Sequence, residues 1–140
     1  MSDWHRPGRA DRHQIEQLVA KIQPNDSMVE IHRYLREILG AEGADGHTAV
    51  AIDGAENVIL WGGLSSEAVE ILAAVMKDDR IVMTSADVVR YGVAGRGLDL
   101  PILPPPPYDP LEREYWLPIV FYPARHAPRL PVVDLTEHGR

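Results

Sequence analysis

The chain of 140 residues contains no cysteine. Disulfide bonds, thiolate nucleophiles and sites in which cysteine binds zinc or an iron–sulfur cluster are therefore excluded. The absence of cysteine fits a reducing compartment, and we expect a cytoplasmic protein.

Long apolar segments are also missing. Residues 1–6 contain no apolar stretch of the kind that marks a secretory signal. No apolar run approaches the ~20 residues that a helix needs to cross a bilayer. We therefore expect no membrane association.

Basic residues are scarce in the middle of the chain. The formal net charge is −7, and residues 41–100 hold four Lys and Arg against ten Asp and Glu. An acidic surface disfavours contact with nucleic-acid phosphates. A nucleic-acid surface would have to lie in residues 1–40, where six basic and six acidic residues balance.

Proline is rare before Pro101 and abundant after it. Ten of the twelve prolines lie between Pro101 and Pro131, and five of the nine aromatic residues lie in residues 104–140. Because proline lacks an N–H and fixes φ, this segment is not expected to supply a central strand or a long helix. The pattern predicts a flexible N-terminus (1–10), a compact domain (11–103) and an extended arm rich in proline and aromatic residues (104–140).

Two helices are predicted at the start of the compact domain. Asp11 can cap the first, and Ser27 and Glu30 form a capping box for the second, which ends at Gly40. Each helix has an apolar stripe at helical spacing. The stripes consist of Ile15, Leu18, Val19 and Ile22 in the first helix, and of Met28, Ile31, Leu35 and Ile38 in the second.

A β-hairpin follows an acidic, glycine-rich loop at residues 41–46. Its predicted strands are 48–52 and 57–61, with the turn dipeptide Asp53-Gly54 between them and Gly62-Gly63 at the end. A third helix over 66–77, capped by Ser65, is apolar nearly all round and is expected to be buried on more than one side.

The remaining elements are short. Strands are predicted at 81–84 and 88–93, and one or two helical turns at 110–116. The chain is thus predicted to be a small single domain of the α+β class: two N-terminal helices, a hairpin, a buried third helix, short C-terminal strands and the arm. A winged-helix-like arrangement is an alternative interpretation of the same order.

The winged-helix interpretation gives the alternative function, a nucleic-acid-binding regulator. The helix at residues 27–39 would present His32, Arg33 and Arg36 to the major groove. The tip of the wing, however, carries Asp53 and Glu56 and no basic residue, whereas a wing that contacts phosphates should be basic.

The proline run contains a short recognition motif. Pro105, Pro106, Pro107 and Tyr108 match the P-P-x-Y pattern that WW domains bind as a polyproline II helix. Short motifs of this kind occur often by chance, and the favoured interpretation of the proline run is a stiff spacer that carries residues 111–122 to another surface.

Sites for catalysis, metal or cofactor are poorly specified. His13 and Glu16 have the i, i+3 spacing of a metal pair, but the sequence places no further ligand beside them, and a surface ion pair is the favoured interpretation. Ser65 lacks the G-x-S-x-G context of a nucleophile, and Gly62-Gly63 is not followed by a Walker lysine. We predict no cofactor and no metal, and enzymatic activity is not the favoured interpretation.

The leading hypothesis is a non-enzymatic interaction or regulatory module. Its arm would bind a second copy, giving a homodimer, or another protein, because its aromatic residues cannot form a core of their own. The proposed docking residues are Pro105, Pro106, Pro107, Tyr108, Tyr115, Trp116, Phe121 and Tyr122.

Overall fold

The computed structural model describes residues 11–52, 55–94, 96–103 and 113–127. The helices in this part of the chain are α1 (Arg12–Lys21), α2 (Met28–Leu39), α3 (Ala41–Ala44), α4 (Ser66–Met76) and α5 (Val88–Ala94), with a 3₁₀ turn at Ala124–His126. The strands are β1 (Asp26–Ser27), β2 (Asp45–Ile52), β3 (Ala55–Leu64), β4 (Ile81–Ser85), β5 (Tyr115–Trp116) and β6 (Ile119–Pro123). The predicted α+β class is confirmed.

The strands form two three-stranded sheets. In the first the order is β1-β6-β4, and both pairings are antiparallel. In the second the order is β2-β3-β5, with an antiparallel hairpin and a parallel β3–β5 pair. α4 contacts α1, β2, β3 and β4. Such a position explains why its sequence is apolar nearly all round.

The predicted helix caps are present. The Asp11 side chain accepts a hydrogen bond from the His13 N–H (2.7 Å). Ser27 accepts from the Val29 N–H while its own backbone N–H donates to Glu30, which completes the capping box. Gly40 ends α2 with φ +78°, a conformation that glycine adopts without steric cost.

Two local predictions around the hairpin are wrong. Residues 41–46 are not a loop, because α3 occupies 41–44 and β2 begins at Asp45. Gly62-Gly63 does not end the second strand, which continues to Leu64. Gly63 has φ +78°, so glycine here lets the strand bend and continue.

The strand predicted at 88–93 is also wrong, because α5 (Val88–Ala94) is helical. Asp87 caps it: its side chain accepts from the Val89 N–H (3.0 Å) and its backbone carbonyl from the Arg90 N–H (3.0 Å). Val88 and Val89 suggested a strand through their β propensity, yet they are 44% and 64% exposed. Valine favours strands because its side chain packs well on a half-buried sheet surface. The preference therefore contributes little at these two exposed positions.

The prolines after Pro101 do not prevent a central strand. β6 lies between β1 and β4, and prolines stand just before it at Pro118 and at its last position, Pro123. Proline costs a strand least at its ends, where ladder hydrogen bonds stop. Residues 115–123 therefore belong to the same fold as residues 11–103.

The helical turn predicted at residues 110–116 is wrong at its end, because Tyr115–Trp116 form the strand β5. Residues 110–112 of that prediction lie outside the described part of the chain.

The core lies where the helices meet both sheets. Its largest fully buried side chains are Trp61, Tyr91, Phe121, Leu18, Met28, Ile31, Leu35, Leu64, Ile71, Leu72 and Val75. They come from α1, α2, β3, α4, α5 and β6. Since four helices and a strand from each sheet contribute, the two sheets share one core.

Candidate functional site

The aromatic residues predicted to dock a partner divide into two groups. Trp116 and Phe121 are buried inside the molecule. The Trp116 ring lies 4.9 Å from the Tyr91 ring, edge to face, and 6.3 Å from the Trp61 ring. Neither Trp116 nor Phe121 is accessible to a partner in this conformation, which corrects the expectation that they form a docking element.

Tyr115 and Tyr122 are half-buried. The Tyr122 hydroxyl donates to Asn25 Oδ1 at 3.3 Å, a contact within the same chain. Pro105, Pro106, Pro107 and Tyr108, the P-P-x-Y motif, lie outside the described residues, so its role stays a prediction.

His32 does not lie on the polar face of α2, as the winged-helix interpretation required. Its side chain is buried, with Nε2 2.8 Å from Asp45 Oδ1 and Nδ1 3.2 Å from Trp61 Nε1. The indole N–H can only donate, so Nδ1 accepts and Nε2 carries the proton that is donated to Asp45. Both ring nitrogens are occupied, which leaves His32 neither a phosphate contact nor a free general base.

Arg33 and Arg36 are exposed on α2, as predicted. Arg36 donates to Asp45 Oδ2 (2.9 Å), and the Arg33 guanidinium lies 5.3 Å from the centre of the Tyr34 ring. The hydrogen bond to His32, with the contribution of Arg36, lowers the pKa of Asp45. The carboxylate therefore stays ionised and offsets the positive charge that a nucleic-acid surface would need.

The residues considered for catalysis or metal binding have structural partners. Ser65 caps α4 by accepting from the Ala68 N–H (3.0 Å) and donates to the Gly43 carbonyl (2.6 Å). Glu16 binds the Arg80 guanidinium through both oxygens, and these hydrogen bonds lower its pKa. Among the described residues, no group of three or more His, Asp or Glu side chains is placed to hold a metal ion.

The most distinctive concave surface is an apolar groove of about 390 Å³ between β2 and β4. Its floor comes from Leu60, Leu117 and Ile119, and Ala73, Met76 and Lys77 of α4 form one side. The facing walls are Val50, Ala51 and Ile52 of β2 and Met83, Thr84 and Ser85 of β4. Its volume lies in the range of ligand sites, and its lining is mainly hydrocarbon.

Both walls of the groove are edges of sheets. β2 and β4 each pair with one neighbour only in the described structure. Successive side chains of a strand point to opposite faces of its sheet. A cavity that runs along the edge of a strand can contact side chains of both faces, which explains why three consecutive residues of each strand line it. The groove therefore exposes backbone hydrogen-bonding groups together with apolar side chains.

The two edges differ in regularity. β4 pairs with β6 through five successive residue pairs, from Ile81–Pro123 to Ser85–Ile119, without a register shift. β2 shifts register four times along β3. Bulges, charges and proline normally protect a sheet edge from further pairing. β4, with the sequence Ile-Val-Met-Thr-Ser, has none of these in its five residues.

Sequence reasoning missed the groove because its walls are far apart along the chain. One local signal was present: residues 81–85 are a strand-like run free of charge. Whether such a strand lies at an edge depends on the order of strands in the sheet, which local patterns do not contain.

Comparison with known proteins adds no family. No family model, no curated protein and no solved structure matches the chain. None of the helices described above is long and apolar enough to span a bilayer. Function is therefore inferred from the geometry of the groove.

Proposed function

We propose that this protein is a non-enzymatic interaction module that binds an extended apolar segment of a partner protein. The segment would lie in the groove between β2 and β4 and add as a strand to the free edge of β4. The observation that carries this proposal is the regular, uncharged edge of β4 beside an apolar floor. Strand addition derives affinity from main-chain hydrogen bonds and specificity from alternate side-chain pockets.

The surroundings define the chemistry of the partner segment. An added strand presents every second side chain to the groove, where Leu60, Leu117 and Ile119 would receive it. Those alternate positions should be aliphatic or aromatic, because a charged group would lose its hydration against these side chains. The intervening positions would face solvent and are free to be polar.

This proposal keeps an interaction role but moves it from the arm to the groove. Of the predicted arm, β6 contributes Ile119 to the floor, and the linker before it contributes Leu117. Trp116 and Phe121 support these residues from within the core. Their role in binding would be to hold the floor in place.

The test is selection of random dodecapeptides displayed on phage against the full chain, followed by fluorescence anisotropy with the selected peptides. We expect enrichment of sequences with apolar residues at every second position. Ile52→Lys should weaken binding at least about tenfold, since it places an ammonium group at the groove and tenfold corresponds to only about 1.4 kcal/mol.

The matched control is Val89→Lys. Ile52 and Val89 are both exposed aliphatic residues, at 37% and 64%, but only Ile52 lines the groove. The same charge change at Val89 should leave peptide binding unchanged. Failure to enrich any alternating sequence, or equal losses in the two variants, would show that the groove does not bind such segments.

A further inference from the structure

We propose that the partner segment in the groove pairs with β2 as well as with β4, so that it joins the two sheets as one added strand between them. This inference rests on the proposed function, because it takes the groove to bind an extended apolar segment. It adds the second edge that the segment contacts and the backbone hydrogen bonds that a partner must supply.

The two sheets are already linked through the chain between β5 and β6. The Leu117 N–H donates to the Ile59 carbonyl in β3 (3.0 Å), and the Pro118 carbonyl accepts from the Ala86 N–H just after β4 (2.8 Å). Hydrogen bonding to β3 and to β4 therefore continues through both residues between the strands. In the resulting series β2, β3, β5 with β6, and β4, the first and last strands are free edges in the described structure.

β3 and β4 lie on opposite sides of the chain that runs through β5 and β6. The Trp116 N–H donates to the Pro101 carbonyl (2.9 Å), whereas the next N–H along the chain, that of Leu117, donates to β3. Backbone groups of alternate residues in a strand point to the same side, so the Pro118 carbonyl, which contacts β4, points away from β3. The series thus curls round on itself, because its two outermost strands, β2 and β4, line one groove.

The two edges run in the same direction. β2 is antiparallel to β3, β3 is parallel to β5, and β4 is antiparallel to β6, which follows β5 along the chain. β2 and β4 therefore both run opposite to β5 and β6. One inserted segment can pair in the same sense with both edges, without a change of direction.

The free edge of β4 offers a defined set of backbone groups. Two residues that flank β4 bond to the β6 side, through the Arg80 carbonyl (2.7 Å) and the Ala86 N–H (2.8 Å). Since hydrogen-bonded positions alternate in an antiparallel pair, Ile81, Met83 and Ser85 direct their N–H and carbonyl groups away from β6. The Ile81 N–H already donates to a carbonyl in the preceding turn (3.1 Å), so in the described structure the Met83 and Ser85 N–H groups are the donors for a partner.

The edge of β2 faces the same space from the other side. It contributes Val50, Ala51 and Ile52 to the groove. Four register shifts interrupt its pairing with β3, and irregularities of this kind bend and twist a strand. We therefore expect fewer hydrogen bonds from the segment to β2 than to β4, but at least one.

The first test is N-methylation of the tightest-binding dodecapeptide selected against the full chain. Each residue is replaced in turn by its N-methyl form, which removes one N–H and keeps the side chain. If the peptide pairs with β4 alone, every second N–H faces away from the edge, and sensitive positions alternate with tolerant ones. A segment paired on both sides should lose affinity at least about fivefold at three or more consecutive positions. N-methylation at the peptide ends, outside the groove, is the control and should leave the affinity unchanged.

The second test is amide hydrogen exchange of the full chain, measured by NMR with and without the unmethylated peptide. Binding should slow exchange of the Met83 and Ser85 N–H groups at least about tenfold, together with at least one amide among residues 50–52. Ile81 is the matched control in the same strand, because its N–H is already bonded in the free protein. Its exchange should slow less than that of Met83 and Ser85.

The outcomes separate this inference from the proposed function. Consecutive sensitive positions, with new protection on both edges, support the two proposals together. Alternating sensitivity, or new protection confined to β4, would overturn the contact with β2 and leave strand addition to β4 standing. A library that yields no binding peptide, or peptides that bind without protecting either edge, would overturn both.

Discussion

Tyr91 joins three parts of the molecule through one buried hydroxyl group. The hydroxyl accepts from the Met28 N–H at the start of α2 (2.9 Å) and donates to the Ile119 carbonyl in β6 (2.6 Å). Burial raises the pKa of this phenol, so it keeps its proton and can serve as donor and acceptor together. The same ring packs against Trp61 and Trp116.

Replacing Tyr91 by Phe should therefore lower the free energy of unfolding by about 1–3 kcal/mol, because two buried backbone groups lose their partner. Tyr122→Phe is the control, since the Tyr122 hydroxyl makes one long hydrogen bond, to Asn25, in a half-buried position. It should cost less than about 0.5 kcal/mol. Urea denaturation followed by tryptophan fluorescence measures both, and similar losses in the two variants would contradict this role of Tyr91.

At the scale of single elements, what the sequence predicts depends on how local the signal is. The caps Asp11, Ser27 and Ser65 were predicted correctly because a cap and the N–H groups that it binds lie within three residues. α5 was predicted wrongly, because valine has a strand preference that depends on burial, although Asp87 offered a cap signal. β6 was excluded by counting prolines, whereas their positions at the strand ends decide whether they are tolerated.

The candidate site was predictable in neither its position nor its residues. The groove joins parts of β2, α4 and β4 with Leu117 and Ile119, and these parts come together only through the order of strands in the two sheets. His32 shows the same limit at one position. Its place in the helix suggested a polar face, but packing against Trp61 and Asp45 buries it.

Two glycines should respond in opposite directions to alanine. A Cβ atom at Gly46 would lie 2.8 Å from Ser65 Cα and 2.9 Å from the Leu64 carbonyl oxygen, which are backbone atoms that cannot turn aside. A Cβ atom at Gly92 in α5 meets nothing within 4 Å. We expect Gly46→Ala to destabilise the protein by about 1–3 kcal/mol. Gly92→Ala should stabilise it by about 0.5–1 kcal/mol through a better helix preference.

Thermal and urea unfolding of the two glycine variants beside the parent chain measures these changes. Since the same methyl group is added at both sites, a difference between the variants reports the local space and the backbone conformation at each glycine. A loss of stability at Gly92 would mean that α5 does not adopt this helix in solution.

For the whole molecule, β6 decides whether the chain can be divided after Leu103. β6 occupies the middle of the sheet β1-β6-β4, and Trp116 of β5 lies in the core that both sheets share. Removing them leaves β1 and β4 without their common neighbour. Because the last strand among the described residues is also central in its sheet, the domain cannot be divided at this point.

A chain that ends at Leu103 should therefore show no cooperative unfolding transition, with tryptophan fluorescence typical of exposed indole. A chain that ends at Ala127 keeps every described strand and helix, and it should unfold cooperatively. Circular dichroism during thermal unfolding tests both chains. Cooperative unfolding of the shorter chain would show that the segment after Leu103 is separable, as its proline content first suggested.

The pairing of β1 with β6 has a consequence for biosynthesis. The Tyr122 hydroxyl and Asn25 Oδ1, which are in contact beside these strands, are 97 positions apart. The ribosome synthesises α1 and α2 first, so their apolar faces lack the contacts that depend on β6 until almost the entire described chain has been made. Nascent chains expose such surfaces to chaperones and to aggregation. The core can therefore close only after residues 119–123 have left the ribosome, and until then the apolar faces of both helices lack the contacts that β6 makes possible.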